Sequence, residues 1–287
     1  MKSAVIYYFS GTGNTKLVAN MLKEEFSNYQ YNVTVISIED ALKNNLKIEV
    51  EKYDLVGIGC QVIGFGIPNI VRDFIKLLPK VDYKNVFVFR TAGGVAPINY
   101  NASKPMIRKL SRKGYKVFHE RIFSIGSNWM IKYDDEISKQ LYVATTRKVA
   151  VMCREVVHSE KRILKTSTGL KVFMEIAMFI IPRIIPLVGK DLRVNEACVH
   201  CGLCIKNCPA GNIYEKKGKI KFRFSCNSCM RCVYSCPKAA IKFRRLNFFA
   251  VPGGYNIEKI LNSSSDHSEL KNKVPQFFND YIKDDRL

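Results

Sequence analysis

The chain has 287 residues, 47% hydrophobic and 25% charged, with 46 Lys/Arg against 25 Asp/Glu. That length allows two domains, and that apolar content suits folded cores, which excludes a disordered or low-complexity chain. The net charge of +21 is scattered, with no run of five Lys/Arg to mark a nucleic-acid or lipid-binding tail.

Residues Ala4–Phe9, A-V-I-Y-Y-F, predict a short strand. The loop Ser10-Gly11-Thr12-Gly13-Asn14-Thr15 follows, and then Leu17, Val18, Met21 and Leu22 share one helical face. Strand, Gly/Ser/Thr loop and helix together offer N–H groups and hydroxyls to an anion at a helix N-terminus. A plain turn with a helix cap is the alternative. No G-K-[ST] ends the loop, which excludes an NTPase phosphate loop. The G-x-G-x-x-G spacing of the dinucleotide fold is absent too. The loop S-x-T-G-N-T resembles the FMN-phosphate loop of flavodoxins, which makes Ser10, Gly11, Thr12, Gly13, Asn14 and Thr15 expected FMN contacts. No secretory leader is expected, because this polar loop follows the first apolar run at once.

Strands are predicted next at Asn32–Ile38, Asp54–Cys60, Val86–Arg90 and Lys116–Ile125. A helix is predicted over Pro68–Leu78, with Ile70, Val71, Phe74 and Leu78 at helical spacing, and a last one over about 134–160. Strands alternating with helices predict an α/β fold, a flavodoxin-like doubly wound parallel five-stranded sheet. Such sheets bind ligands beyond the carboxyl ends of their strands. The loop with Val62, Ile63, Gly64, Phe65 and Gly66, and the loop with Thr91, Ala92, Gly93 and Gly94, resemble the two ring-binding loops of flavodoxins. Phe65, Tyr100 and Trp129 are candidate ring contacts; core or surface roles are the alternatives, since none matches a stacking motif tightly. Cys60 and Cys153 read as buried structural thiols.

The apolar stretch Leu170–Val188 is interrupted by Lys171, Glu175 and Arg183 and broken by Pro182 and Pro186. Its charge-free piece is far short of the ~20 residues that a span requires. The expectation is a helix packed between domains with a Pro-bent linker; a membrane-surface helix is the alternative.

Eight of the ten cysteines follow in two runs, Cys198, Cys201, Cys204, Cys208 before Pro209, and Cys226, Cys229, Cys232, Cys236 before Pro237. Each reads C-x2-C-x2-C-x3-C-P. Structural zinc takes ligands as two separated pairs, and disulfides go with secretion, so both fit poorly. The spacing resembles bacterial two-cluster ferredoxins. That resemblance implies two [4Fe–4S] clusters with crossed ligation: Cys198, Cys201, Cys204 and Cys236 on one, Cys226, Cys229, Cys232 and Cys208 on the other. It also implies a reducing, low-oxygen cytoplasm.

Between the runs, Asn212–Phe224 predicts a hairpin with Gly218 at a positive-φ turn position, and Ile241–Phe243 a closing strand. The tail carries Phe248, Phe249, Tyr255, Phe277, Phe278 and Tyr281, expected in part to wrap back on the body; Asn262–Ser268 reads as a loose polar stretch.

The whole chain resembles a family that fuses a flavodoxin-like domain to a small α+β two-cluster ferredoxin domain. The expected units are 1–162 (FMN-binding), 163–189 (helix and linker), 190–245 (ferredoxin) and 246–287 (tail). The resemblance implies FMN, two [4Fe–4S] clusters and electron transfer between redox partner proteins. An FMN-dependent reductase of a quinone or nitro compound, with the clusters as electron input, is the alternative. No acid or base stands out among His119, His158, His200 and His267, and His200, inside a cysteine run, is expected to tune or screen a cluster. Residues 190–245 hold 13 Lys/Arg against 3 Asp/Glu, so acidic redox partners are expected. Nucleic acid and a membrane span are not expected.

Overall fold

A computed structural model describes residues 1–44, 46–263 and 276–284. Strands β1 (Lys2–Phe9), β2 (Tyr31–Ser37), β3 (Leu55–Gln61), β4 (Lys84–Thr91) and β5 (Tyr115–Phe123) form one parallel sheet in the order β2-β1-β3-β4-β5. Helix α1 (Asn14–Asn28) and the long α6 (Asp135–Val157) contribute Val18, Leu22, Phe26, Val149 and Met152 to one core. Helix α2 (Ile38–Lys43) follows β2, α3 (Asn69–Leu77) follows β3, and α4 (Pro97–Tyr100) and α5 (Lys104–Ser111) follow β4; Ile38, Val71, Phe74 and Met106 enter a second core. Layers on both faces explain why the strands are near-continuous apolar runs. Glycines in β3 admit its neighbour's aromatics: a Cβ at Gly57 would meet the Phe87 ring at 2.4 Å, and one at Gly59 the Phe89 ring at 2.0 Å.

The expected strands and helices of the sheet domain appear with ends shifted by up to three residues. Helices α2, α4 and α5 were not anticipated, being too short for a periodicity to show.

After α6, Arg162 pairs with the edge of the sheet: Glu120 N–H donates to Arg162 O at 2.8 Å and Arg162 N–H to Phe118 O at 3.0 Å. Helix α7 (Thr168–Ile184) then crosses the carboxyl-end edge, with Pro182 inside it. It packs on one face, where a Cβ at Gly64 would lie 2.6 Å from Ile181 and Asn69 donates to Pro182 O at 3.3 Å. The segment also meets the second domain, where Ser228 donates to Ile185 O at 3.2 Å, while Ile176, Phe179, Ile180 and Ile184 are about half or more exposed. No helix among the described residues is long and apolar enough to cross a membrane.

The small second domain pairs β6 (Leu192–Val194) with β9 (Ile241–Phe243), and β7 (Ile213–Lys216) with β8 (Lys219–Phe222). Lys217 and Gly218 both have positive φ, as a two-residue hairpin turn requires. The short helices α8 (Leu203–Lys206) and α9 (Arg231–Tyr234) each carry the third cysteine of a run, Cys204 and Cys232.

The tail returns to the first domain through α10 (Ile257–Asn262) and α11 (Gln276–Lys283). Tyr255, Phe278 and Tyr281 are buried; Phe248 is exposed. Tyr281 accepts from Ser124 N–H at 3.1 Å. Most of the expected loose stretch, residues 264–268, lies outside the described residues, as does the side chain of Phe277.

Candidate functional site

The two cysteine runs have one backbone. Positive φ recurs two and four residues after the first cysteine: His200 and Gly202 in one run, Ser228 and Met230 in the other. It recurs again three residues after the last cysteine, at Gly211 and Ala239. These left-handed positions curl each x2 gap so that three thiols face inward. The next residue's N–H then closes on sulfur: Asn212 N–H to Cys208 Sγ at 3.2 Å, and Ala240 N–H to Cys236 Sγ at 3.3 Å. Ser228 N–H adds a bond to Cys226 Sγ at 3.2 Å. Such bonds stabilise a reduced cluster and raise its potential.

The thiols gather in crossed sets. Cys198, Cys201, Cys204 and Cys236 line one cavity with Val194, Ile220 and Ile241. Cys208, Cys226, Cys229 and Cys232 line another with Val188, Ile213 and Phe243. Among the described residues no three metal-ligating side chains converge on a point fit for a single ion. The thiols instead ring apolar cavities, which fits a cluster better than lone zinc. Burial pushes the Cys229 thiol up to about 12, and Cys226 and Cys232 upward as well. Iron must displace those protons on binding. A Cβ at Gly189 would meet Cys226 Cβ at 2.5 Å, so only glycine lets the linker pass this cavity.

The two cavities differ in setting. On the first, Cys201 and His200 are exposed, beside a cleft of about 600 Å³ lined by Lys190, Arg193, His200, Lys219 and Lys221, with Glu196 its one acid. On the second, Asn227, Ser228, Cys229 and Met230 are buried against the first domain. Asn227 Oδ1 accepts from Ile70 N–H at 3.2 Å, and Ser228 O accepts from Trp129 Nε1 at 3.1 Å. Ser228 Oγ donates to Ile185 O at 3.2 Å, and Tyr234 Oη to Asn128 O at 2.9 Å.

This loop meets the Ser10–Thr15 loop directly. A Cβ at Gly11 would lie 2.4 Å from Cys229 O, so the two backbones touch. Arg231 Nε donates to Gly11 O at 3.1 Å, Nη2 to Ser10 O at 2.5 Å and Nη1 to Glu39 Oε2 at 2.7 Å.

The Ser10–Thr15 loop itself is braced. Gly11 N–H donates to Gln61 Oε1 at 2.9 Å and Gly13 N–H to Ser10 Oγ at 3.1 Å. Thr12 Oγ1 accepts from Asn128 at 2.8 Å, and Asn14 Oδ1 from Tyr255 Oη at 2.7 Å. Thr15 Oγ1 and Thr91 Oγ1 share a proton at 2.7 Å. The N–H groups of Thr12, Asn14 and Thr15 reach no acceptor among the described residues. Gln61 Nε2, buried beside Gly11, is likewise unpartnered. A cavity of about 480 Å³ opens on this loop, with Lys16 and Arg231 in its wall alongside Glu39, Asp40 and Glu258, Arg231 being paired with Glu39. Free amides at a helix N-terminus beside cations fit a phosphate.

The loops expected at a flavin ring are held by bonds of their own. Ile63 and Gly66 close a tight hairpin by exchanging backbone hydrogen bonds at 2.9 and 3.0 Å, and Val62 N–H donates to Thr91 O at 2.8 Å. Ala92 N–H bonds Phe123 O at 3.0 Å. Gly93 O accepts from Tyr133 at 2.8 Å and Gly94 O from Asn99 at 2.9 Å. Phe65 sits at a positive-φ tip, 37% exposed. Tyr100 is half-buried, its carbonyl accepting from Arg90. Trp129 packs on Phe249 at 4.6 Å between ring centroids and holds Ser228, so it belongs to the seam between the domains. Phe65, Tyr100 and Trp129 thus do not form one group. The sequence reading missed Arg231, Glu39, Asn227 and Asn128, because a residue inside an x2 gap, on a short unpredicted helix or in an irregular loop carries no pattern of its own.

Comparison with known proteins accords with both halves. Residues 6–121 match the flavodoxin family, and residues 190–244 match the 4Fe-4S dicluster domain family. The chain is 42% identical over 51 residues to the provisionally named electron transport protein YccM of Escherichia coli (strain K12), covering 18% of this chain and 14% of that protein. It is 32% identical over 71 residues to the formate dehydrogenase iron-sulfur subunit of Wolinella succinogenes, covering 23% of this chain and 36% of that one. The chain therefore spans well under half the length of these curated relatives. Among solved structures it resembles oxidised Flavodoxin 1 of Bacillus cereus at 20% identity, covering 55% of this chain and 98% of that one, with a TM-score of 0.39. It also resembles the rubredoxin oxygen:oxidoreductase of Desulfovibrio gigas at 15% identity, covering 55% and 37%, with a TM-score of 0.42. One chain thus joins a segment that matches flavodoxins to a segment that matches 4Fe-4S dicluster domains.

Proposed function

We propose that this chain passes electrons between an FMN and two [4Fe–4S] clusters and so links redox partner proteins. The observation that carries the routing is the contact of Gly11 with Cys229, which sets the second cysteine nest directly on the phosphate loop. FMN supplies two-electron chemistry that can be released one electron at a time, whereas each cluster carries one electron.

The chain's own residues have distinct tasks in this reading. The N–H groups of Thr12, Asn14 and Thr15, with the Ser10 hydroxyl and Lys16, hold the phosphate. Arg231 fixes the cluster loop to that phosphate loop. Cys208, Cys226, Cys229 and Cys232 hold the inner cluster; Cys198, Cys201, Cys204 and Cys236 hold the outer one. The exposed Cys201 and the basic cleft beside it suit an acidic redox partner, drawn in by charge. We take 1–162, 163–189, 190–245 and 246–287 as the working units, in a cytoplasmic protein.

An anoxic preparation tests this by its iron, acid-labile sulfide and flavin content. About eight iron, eight sulfide and one FMN per chain are expected. Iron and sulfide with no flavin, even after incubation with FMN, would end the flavin half of the proposal.

A further inference from the structure

Helix α7 presents an apolar face that the other described residues leave open. Ile176, Phe179, Ile180 and Ile184 follow helical spacing and are 59%, 65%, 48% and 50% exposed; Leu187, just beyond, is 51% exposed. The opposite side is fastened. Ile181 and Ile185 cover Gly64, Asn69 holds Pro182 O, and Ser228 holds Ile185 O. The helix cannot roll its apolar face inward without breaking these bonds.

One cation sits on that face and others lie nearby. Arg183 lies over the Phe179 ring, 3.8 Å from its centroid. Arg183 and Arg72 repel each other, as Lys109 does Arg72, Lys76 and Arg112, which groups the basic residues of α3, α5 and α7. Asp73 is the acid among them, paired with Lys76 at 2.7 Å. Within 168–190 the sequence has one acid, Glu175, against Lys171, Arg183 and Lys190.

We infer that α7 and the basic residues of α3 and α5 form a docking surface for an anionic lipid bilayer, with Phe179 and Ile180 entering the interface. An amphipathic helix flanked by cations binds this way, its apolar face at the acyl boundary and its charges on anionic headgroups. A second copy of this chain is the poorer occupant, because it would set the same cations against each other. The helix lies on the membrane and does not cross it.

The test is flotation of the cluster-loaded protein with vesicles. One set is phosphatidylcholine alone; the other is equal parts phosphatidylcholine and phosphatidylglycerol. Binding to the mixed vesicles is expected, weakened by salt, with little on the neutral ones. The double variant Phe179→Glu, Ile180→Glu should lower it about a hundredfold, with iron content and absorption spectrum unchanged. Lys76→Gln with Lys109→Gln should weaken binding and flatten its salt dependence. No flotation with mixed vesicles would overturn the proposal, as would equal binding to neutral ones or by the Glu double variant. So would a dimer in lipid-free sedimentation that the Glu variant abolishes, since a second copy would then own the face.

Discussion

Arg231 and Glu39 form an ion pair between the two domains, the Arg231 side chain 23% exposed and the carboxylate almost wholly buried. Both carboxylate oxygens are engaged, Oε2 at 2.7 Å. The same guanidinium reaches Ser10 O, Gly11 O and Asn207 O, so one side chain joins the phosphate loop, α2 and both cysteine runs. Arg231→Ala would strand Glu39 and three carbonyls, and should cost about 2–3 kcal/mol of stability, somewhat less than a fully buried pair. Arg231→Lys should recover only part, because an ammonium cannot make the forked contact. Denaturant midpoints of the loaded protein measure both; a loss below about 0.5 kcal/mol for the alanine variant would place the pair among indifferent surface bridges.

Gly11 is required for space. A methyl group there would meet Cys229 O at 2.4 Å and Gln61 Nε2 at 2.7 Å. Gly11→Ala should separate the cluster loop from the phosphate loop, leaving iron content intact while shifting the electron paramagnetic resonance spectrum of the inner cluster. An unchanged spectrum would mean that the two loops do not press on each other in solution.

Crossed ligation makes a counter-intuitive forecast. Cys236→Ser, in the second run, should disable the cluster of Cys198, Cys201 and Cys204, while Cys208→Ser, in the first run, should disable the cluster of Cys226, Cys229 and Cys232. Removing all iron should unfold the small domain, whose own core is slight, and leave the sheet domain folded. Hydrogen exchange would separate the two: retained protection around β6–β9 in the iron-free protein contradicts the forecast.

His119 on β5 is fully buried and shares a proton with Glu155 Oε2 at 2.7 Å, with Arg121 also on that carboxylate. Burial lowers its pKa to about 4, against the pull of Glu155. The folded state therefore keeps this imidazole neutral while an unfolded chain protonates it near 6.5. Stability contributed by His119 is present above 6.5 and is lost as pH falls from there towards 4, by about 3 kcal/mol in all. His119→Gln should remove that part of the slope, measured as the difference between variant and parent from pH 6.5 to 5. Parallel curves over that window would show that His119 does not titrate with folding.

The architecture was legible where chemistry leaves a pattern. The cysteine spacing pointed to two sets of four ligands, which line two cavities, and the S-x-T-G-N-T loop fell at a strand end where the amides of Thr12, Asn14 and Thr15 find no acceptor among the described residues. The alternation of apolar runs gave the five strands. What stayed hidden was relational. Nothing in the sequence says that Arg231 faces Glu39, residues far apart in the chain, or that Trp129 joins Ser228. The apolar character of α7 was visible, but which side it shows to water depends on where Gly64 and Asn69 meet it.

The tail adds a consequence for kinetics. The cluster domain is secured on its entry side by Arg162 against β5 and on its exit side by Tyr255 on Asn14 and Tyr281 on Ser124. A domain hung on one tether must swing to deliver charge, and its turnover slows in glycerol or sucrose. A domain sutured at both ends has no such swing. Internal transfer across the Gly11–Cys229 contact should therefore proceed at a rate indifferent to solvent viscosity, leaving only the encounter with outside partners sensitive to it.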